Sequence, residues 1–227
     1  MKIVIATLKS WNIKNAEKLK ACNKEKHEIK IITQKEDLNP KAIKEFEPDL
    51  IFFPHWSYLI PQDIYENYVC VVFHMTDLPF GRGGSPLQNL IIRGFKETKI
   101  SAIRVQEEID AGPVYIKEKV SLDGNADEIF KRISDIIFEK MIPRFWNEKL
   151  EPIEQMGTPT FFRRRKPEES ELRENMEVSE IYDYIRMMDA EGYPNAFIKY
   201  GGFKISFRNA KLEDGRLFAE IIMEKIE

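Results

Sequence analysis

The sequence predicts an α/β fold in which a doubly wound, mostly parallel sheet is followed by a small C-terminal appendage of α+β or β-rich type. Two runs of the chain, Asp49–Phe53 and Cys70–Phe73, are apolar on both faces. This pattern is typical of central strands that helices cover on both sides. Strand and helix patterns alternate along residues 1–150, which favours a doubly wound sheet.

The remaining elements follow from the spacing of apolar residues. Lys2–Thr7 is a continuous apolar run that predicts the first strand, and a helical pattern follows it. Asn125 and Glu128 form a capping-box pattern at the start of a long amphipathic helix over residues 124–146. The other predicted elements are strands at Glu28–Thr33, Ile100–Val105 and Val114–Leu122, and helices at Pro40–Phe46 and Ser85–Gly94.

Composition divides the chain into a main domain over residues 1–150, a linker over 151–175 and a small domain over 176–227. The middle part contains prolines, a glycine and the dense charge run "RRRKPEESELREN", all typical of a linker. The last part has the helical pattern "VSEIYDYIRMM" and then short alternating segments separated by Gly-Gly and Asp-Gly turns.

The composition excludes several classes of protein. The 227 residues carry a formal net charge of −3, and a mildly acidic chain is a poor candidate for a dedicated nucleic-acid binder. The two cysteines, Cys22 and Cys70, show neither metal-ligand spacing nor a disulfide framework. No apolar stretch has the length of a membrane span or of a signal-peptide core, so we expect a cytoplasmic protein with no membrane partner.

Three residues that can carry chemistry fall at predicted strand ends: His55, His74 and Asp110. Ligands of open α/β sheets bind outside the carboxyl ends of the strands, so we expect His74 and Asp110 to meet there. A carboxylate beside a histidine orients the ring and raises its basicity. Taken alone, a histidine at a strand end is more often a structural hydrogen-bonding group, and the aspartate of "DAGP" is an ordinary turn former.

The loop Gly81–Gly84 is rich in glycine but does not match a nucleotide-binding motif. It lacks the GxxxxGK[ST] phosphate loop, and the first strand is not followed by GxGxxG. The sequence therefore argues against a nucleotide cradle of either kind.

The stretch "FHMTDLPFGRGGSP", followed by "IDAGPVY", resembles the folate-dependent formyltransferases. His74 matches the family histidine, Thr76–Pro79 the S-L-L-P turn, Arg82-Gly83 the R-G pair and Asp110 the aspartate of D-x-G-P. The segment "WSYLIP" at 56–61 resembles the Y-G-x-I-L-P that lines the folate pocket of the family. The resemblance covers most of residues 48–165.

The resemblance implies a formyltransferase-like, Rossmann-type catalytic domain over 1–150 and formyl transfer from 10-formyltetrahydrofolate, its co-substrate, to a primary amine without a metal. His74 would stabilise the oxyanion, and Asp110 would hold His74 and take up the proton of the amine. The residues implied in folate binding are Trp56, Tyr58, Ile60, Thr76, Asp77, Leu78, Pro79, Arg82 and Gly83.

One residue departs from the family pattern. The family has an asparagine two residues before the histidine, where this chain has Val72. The loss of such a hydrogen-bond donor to the oxyanion costs about 3 kcal/mol of transition-state stabilisation. We expect His55 to replace it as a third catalytic residue, with Asn89 as a second candidate. A capping or interface role for His55 is equally open.

The C-terminal stretch "IRMMDAEGYPNAF" resembles the sugar N-formyltransferases of this family. The basic run Arg163–Lys166 is followed by four glutamates, and tRNA binding requires uncompensated cations. We therefore expect a small-molecule acceptor, a nucleotide-linked amino sugar. The alternatives are formylation of methionyl-tRNA, hydrolysis of formyltetrahydrofolate and a non-catalytic folate-binding homologue. A homodimer is possible, and the identity of the amine is open.

Overall fold

The computed structural model describes residues 1–226. The strands β1 to β11 lie at Lys2–Ala6, Glu28–Ile32, Leu50–Phe53, Cys70–His74, Arg82–Gly83, Glu97–Arg104, Val114–Ser121, Phe161–Phe162, Ala196–Tyr200, Phe203–Glu213 and Arg216–Lys225. The helices α1 to α7 lie at Ser10–Asn23, Pro40–Phe46, Gln62–Tyr65, Pro86–Ile92, Ala126–Ile136, Ile142–Asn147 and Val178–Arg186.

The chain divides into two compact units. The first comprises Met1–Arg82, Lys99–Val120 and Lys131–Phe161, and the second Gly83–Thr98, Ser121–Phe130 and Phe162–Glu227. The sequence-based division at residues 150 and 175 stays a prediction. No helix among residues 1–226 has the length and apolar character needed to cross a membrane.

A six-stranded mixed sheet with the order β2-β1-β3-β4-β6-β7 carries the candidate site. The pairs β1–β2, β1–β3 and β3–β4 are parallel, whereas β6 pairs with β4 in the antiparallel direction. The predicted fold class is confirmed. The direction of β6 departs from the parallel arrangement, and it changes how Asp110 reaches the site.

An apolar cluster beside this sheet explains why β1, β3 and β4 are central strands. Its buried members are Val4, Ala6, Ile32, Leu38, Ile43, Ile51, Phe53, Ile64 and Cys70. Val72, Trp56 and Ile60 are partly buried and pack against the same cluster. Val72 therefore packs its apolar side chain against this cluster and remains partly exposed.

The long helix predicted over 124–146 is interrupted. Its start is as predicted, because the amide of Glu128 donates to Asn125 Oδ1 and the amide of Asn125 donates to Glu128 Oε2. A π-helical turn at Ile137–Met141 separates α5 from α6. Pro143 near the start of α6 has no N–H for an i→i−4 hydrogen bond, so the regular ladder has to change there.

The second unit contains an antiparallel sheet with the strand order β11-β10-β9 and the helix α7, which packs on β10. Arg186 at the end of α7 is 3% exposed. Its Nη1 donates to the carbonyls of Leu122 (2.7 Å) and Gly124 (2.9 Å), and its Nε donates to Asp183 Oδ1 at 2.6 Å. This arginine anchors α7 to the backbone of the same unit.

Candidate functional site

His74 ends β4 with its ring enclosed by two acceptor groups. The residue is 8% exposed. Its Nε2 lies 2.8 Å from the carbonyl oxygen of Gly81, and its Nδ1 lies 3.4 Å from Asp110 Oδ1. The structure thus brings together the histidine and the aspartate that the sequence singles out.

The Gly81 carbonyl limits how the neutral ring carries its proton. A neutral imidazole has one N–H, and a carbonyl oxygen is an acceptor only. The neutral tautomer that satisfies Gly81 has its proton on Nε2, and it leaves Nδ1 as a lone pair. A proton taken up by that ring arrives at Nδ1, where the Asp110 carboxylate accepts the resulting hydrogen bond.

Asp110 reaches His74 from a direction that the sequence does not predict. The β4–β6 register places Arg104, the last residue of β6, opposite Val71, and it places His74 opposite Ser101. Along the strands, these two pairs are three residues, or about 10 Å, apart. The C-terminal end of β6 therefore lies beside the start of β4, away from His74. The loop 105–113 folds back and carries Asp110 to the ring, and the expected route through two carboxyl strand ends is wrong.

The turn Thr76–Pro79 is held by side chains of β6 and β7. Ser101 Oγ donates to the Thr76 carbonyl at 2.7 Å, and Lys117 Nζ donates to the Leu78 carbonyl. Lys117 and Lys99 also contact the Asp77 carboxylate. Partial burial raises the pKa of Asp77, but the hydrogen bonds from the two lysines outweigh it and hold that pKa below its ordinary value. Asp77 therefore has a structural role in this turn.

The loop that follows this turn is bound by the segment predicted to be a linker. The amide of Gly81 donates to Thr160 Oγ1 at 2.8 Å, and the amide of Arg82 donates to the Thr160 carbonyl at 2.9 Å. The Arg82 guanidinium bonds to Gln155 Oε1 and Glu108 Oε1. Three N–H groups of Arg82 therefore donate to protein acceptors, and its role in folate binding stays a prediction.

Gly83 lies in the second unit, and its local geometry explains why it is a glycine. Its φ is +100°, and a Cβ there would meet the carbonyl oxygen of Phe162. Glycine adopts this conformation at no steric cost. A ligand contact for Gly83 stays a prediction.

The residues of the "WSYLIP" segment form an aromatic group. The rings of Trp56 and Tyr58 are 5.7 Å apart in an edge-on arrangement, and Lys35 Nζ lies 5.0 Å from the Tyr58 ring centroid. Trp56 Nε1 is buried and has no hydrogen-bond partner among the described residues. A buried N–H of this kind is costly unless a ligand accepts its hydrogen bond, so this group can receive a flat ligand with an acceptor at its edge.

His55 lies in the turn that follows β3, the strand next to the one that ends at His74. Phe53 pairs with Val72, and the two histidines each follow that pair by two residues. His55 has a positive φ of 53°, and its ring lies edge-on to Trp11 at 6.0 Å. Burial, with a smaller contribution from the charge of Lys9, lowers its pKa to about 4. At neutral pH it is therefore an uncharged ring, and its catalytic role stays a prediction.

Asn89 has no amide proton left for an oxyanion. Its Nδ2 donates to the carbonyls of Gly84, Ser85 and Arg163 at 3.0 to 3.2 Å, and its Oδ1 accepts from Arg93 at 2.9 Å. The structure uses this amide to join α4 to the segment after β8. Asn89 is thereby removed as a substitute for the missing family asparagine.

The low pKa of His55 predicts a pH-dependent stability. Its ordinary pKa is 6.5 and its folded value is about 4, so between these values the unfolded chain binds a proton that the folded chain does not. The contribution of His55 to the free energy of unfolding is fully present above pH 6.5. It decreases by about 3 kcal/mol as the pH falls from 6.5 to 4. We expect His55→Asn, which tolerates positive φ, to lose less stability than the wild type between pH 6.5 and 4.5 in thermal melts. Equal losses in the two proteins would contradict this account of His55.

The described residues 1–226 contain no group of three or more His, Cys, Asp or Glu side chains placed to hold a metal ion.

The known proteins that are similar to this chain include the following three. A solved methionyl-tRNA formyltransferase from Clostridium thermocellum is 53% identical, each chain covers 99% of the other, and the TM-score is 0.98. A methionyl-tRNA formyltransferase from Bacillus thuringiensis subsp. konkukian is 28% identical over 189 residues, which are 78% of this chain and 60% of that protein. HypX from Aquifex aeolicus, solved in complex with tetrahydrofolic acid, shares the fold at 20% identity and a TM-score of 0.77, over 94% of this chain and 38% of HypX.

The expected acceptor, a nucleotide-linked amino sugar, is wrong. The similar proteins at 53% and 28% identity are both methionyl-tRNA formyltransferases. The C-terminal stretch that favoured a sugar contains Arg186 and Phe197, which are 3% and 8% exposed, so its pattern reports packing and not the acceptor. The expectation that glutamates compensate the basic run also holds only in part. Arg163 pairs with Glu169, whereas no ion pair is found for Arg164 or Lys166 within residues 1–226.

Two family profiles match the chain. One described as Methionyl-tRNA formyltransferase, C-terminal domain, matches residues 167–224. One described as Formyl transferase matches residues 1–136, a stretch that contains both His74 and Asp110. The chain belongs to the formyl transferase family.

Proposed function

We propose that this protein transfers the formyl group of 10-formyltetrahydrofolate to the α-amino group of methionyl-tRNA. The observation that carries the proposal is the 53% identity, across 99% of both chains, to the methionyl-tRNA formyltransferase from Clostridium thermocellum. The chain spans 60% of the length of the curated relative from Bacillus thuringiensis, so its activity, substrates and partners are proposed from these similarities. The cytoplasmic location stays a prediction.

The aromatic group beside the apolar cluster fits a folate. Trp56 and Tyr58 offer flat apolar surface, Ile60 and Val72 are partly buried against the same apolar cluster as Trp56, and the buried Trp56 Nε1 needs an acceptor. A pterin ring has both a flat face and acceptor nitrogens. HypX, which shares the fold, is solved with tetrahydrofolic acid. In this proposal, folate supplies the formyl group, and its N10 leaves with a proton.

In this proposal, His74 and Asp110 transfer the proton of the attacking amine. Acylation forms a bond between the methionyl nitrogen and the formyl carbon, breaks the bond from that carbon to N10, and moves one proton from the first nitrogen to the second. His74 Nδ1 takes up a proton in the neutral ring, and Asp110 Oδ1, 3.4 Å away, stabilises the charge that results. The His55 N–H is the proposed donor to the oxygen in place of the family asparagine.

The basic run offers cations for the phosphates of an acceptor. Arg163 donates to the Glu169 carboxylate and Arg165 to the Glu169 backbone carbonyl. Arg164 and Lys166 are exposed. Each phosphate that a lysine or arginine neutralises adds about 0.7 to 0.9 to the slope of log affinity against log salt. Methionyl-tRNA binding should therefore weaken measurably as salt is raised.

We expect formylation of methionyl-tRNA at ordinary turnover rates, with a KM that rises as the salt concentration rises. The measurement is a side-by-side assay with 10-formyltetrahydrofolate, in which charged initiator tRNA and a panel of nucleotide-linked amino sugars serve as acceptors. A reaction without any acceptor measures hydrolysis to formate. Turnover on a sugar or on water that exceeds turnover on methionyl-tRNA would reject the proposed function.

A further inference from the structure

The loop that carries Asp110 is bound by a side chain that lies 45 positions further along the chain. Gln155 Nε2 donates to the carbonyl oxygens of Asp110 at 2.8 Å and Gly112 at 2.9 Å. Gln155 Oε1 accepts from Arg82 Nε at 3.2 Å and from Arg82 Nη2 at 3.0 Å. Both amide hydrogens and the amide oxygen of Gln155 are therefore used.

The orientation of this amide is determined by its neighbours. Arg82 carries donors only, and the two backbone carbonyls are acceptors only. The oxygen of the Gln155 side chain must face Arg82, and its nitrogen must face the loop. Arg82 is itself fixed by Glu108, whose Oε1 lies 3.0 Å from Nη1, and its side chain is 11% exposed. Arg82 thus selects the one amide orientation that can bind the loop.

The loop needs such a support, because the sheet does not supply one. The antiparallel β6 ends opposite Val71 and not beside His74, so Asp110 is presented by a segment that folds back over about 10 Å. Asp110 also has a φ of +56°, and such a conformation persists in a non-glycine residue only where the surrounding contacts impose it. At the end of the loop, the Arg104 amide donates to the Pro113 carbonyl at 2.9 Å, and a Cβ at Gly112 would meet the Arg104 carbonyl. Gln155 binds the backbone of Asp110 itself, whose carboxylate lies beside His74 Nδ1.

We infer that Gln155 is a positioning residue for the reaction. It holds the backbone of Asp110 so that the carboxylate stays beside His74 Nδ1, and Arg82 acts through it. The inference rests on the proposed function for its kinetic test, although the placement of the loop can be tested without any substrate. It gives Gln155 and Arg82 a role in supporting the His74–Asp110 pair.

The decisive variant is Gln155→Glu. A glutamate has the same length and keeps two acceptors for Arg82, but it cannot donate to the carbonyls of Asp110 and Gly112 when ionised. We expect kcat to fall by tenfold to a hundredfold, roughly the effect of misplacing a catalytic group by 1 Å. The KM values for folate and acceptor should stay within about twofold. The contact with Arg82 becomes an ion pair, which offsets part of the stability that is lost when the two loop carbonyls lose their donor.

A second variant and a neighbouring control separate positioning from folding. Gln155→Ala should lower kcat by a similar factor and also lower the melting temperature, whereas Glu154→Ala, an exposed neighbour, should change neither. Hydrogen exchange of the peptide covering 105–113, measured on the free protein, should be faster in both Gln155 variants. A Gln155→Glu protein with wild-type kcat, or with unchanged exchange in 105–113, would overturn the inference. If the wild type formylates no acceptor, the proposed function fails, and the exchange experiment alone decides this inference.

Discussion

His74→Ala and Asp110→Asn should each lower kcat for formyl transfer by about two orders of magnitude or more. The alanine removes the ring whose Nδ1 is the proposed proton acceptor. The asparagine keeps the size of Asp110 and tolerates its positive φ, but it removes the negative charge 3.4 Å from Nδ1. The measurement is kcat and KM for both substrates in steady-state assays with purified variants.

Matched controls distinguish this effect from general damage. His27→Ala removes a histidine that packs against Trp146, 4.8 Å between ring centroids, and has no part in the site. Asp214→Asn makes the same chemical change at another aspartate of positive φ, in the exposed turn before β11. Both should retain wild-type kcat. Retention of near-full activity in either site variant would refute the assignment of the pair.

Arg186→Ala should lower the free energy of unfolding by about 3 kcal/mol, the largest stability effect that we expect from a single substitution. The guanidinium is 3% exposed and satisfies two backbone carbonyls and the carboxylate of Asp183. Truncation leaves those acceptors without a donor and Asp183 without its partner, and breaking a buried pair in this way costs about 3 to 5 kcal/mol. In a protein of this size, that corresponds to a decrease in melting temperature of roughly 6 to 12 °C.

The control is an arginine in an exposed ion pair of the same unit. Arg208 lies 3.1 Å from Glu220 Oε2 with 49% of its side chain exposed, and exposed pairs contribute about 0 to 1 kcal/mol. Thermal melts of Arg186→Ala, Arg208→Ala and the wild type compare the two environments directly. A melting temperature for Arg186→Ala no lower than that for Arg208→Ala would show that the buried contacts of Arg186 contribute little.

Apolar runs and caps made much of the fold predictable. The run Cys70–Phe73 lies within β4, and Pro40–Phe46 is the observed α2. Periodicity carries no information on strand direction, however, so the antiparallel course of β6 could not be inferred from its apolar pattern. The π-helical turn at Ile137–Met141 was missed because the amphipathic pattern continues through it.

Local motifs identified the proposed catalytic pair but not the side chains that support it. His74 and Asp110 carry a recognisable pattern, whereas Gln155 lies in a stretch whose prolines and charges indicate only a linker. Its contacts with Asp110 and Arg82 join residues 45 and 73 positions apart, and no local pattern reports such a contact. Conversely, Asp77 and Arg82 belong to family motifs, yet their charged groups bind Lys117 and Gln155 in the folded chain.

The most direct test of the proposed function is to detect the product itself. Methionyl-tRNA is incubated with the wild-type protein and folate carrying a ¹³C-labelled formyl group, the aminoacyl ester is hydrolysed, and the released amino acid is identified by mass spectrometry. The account predicts labelled N-formylmethionine at many turnovers with the wild type and about a hundredfold less with His74→Ala. Free labelled formate without N-formylmethionine, or equal product from the two proteins, would contradict it.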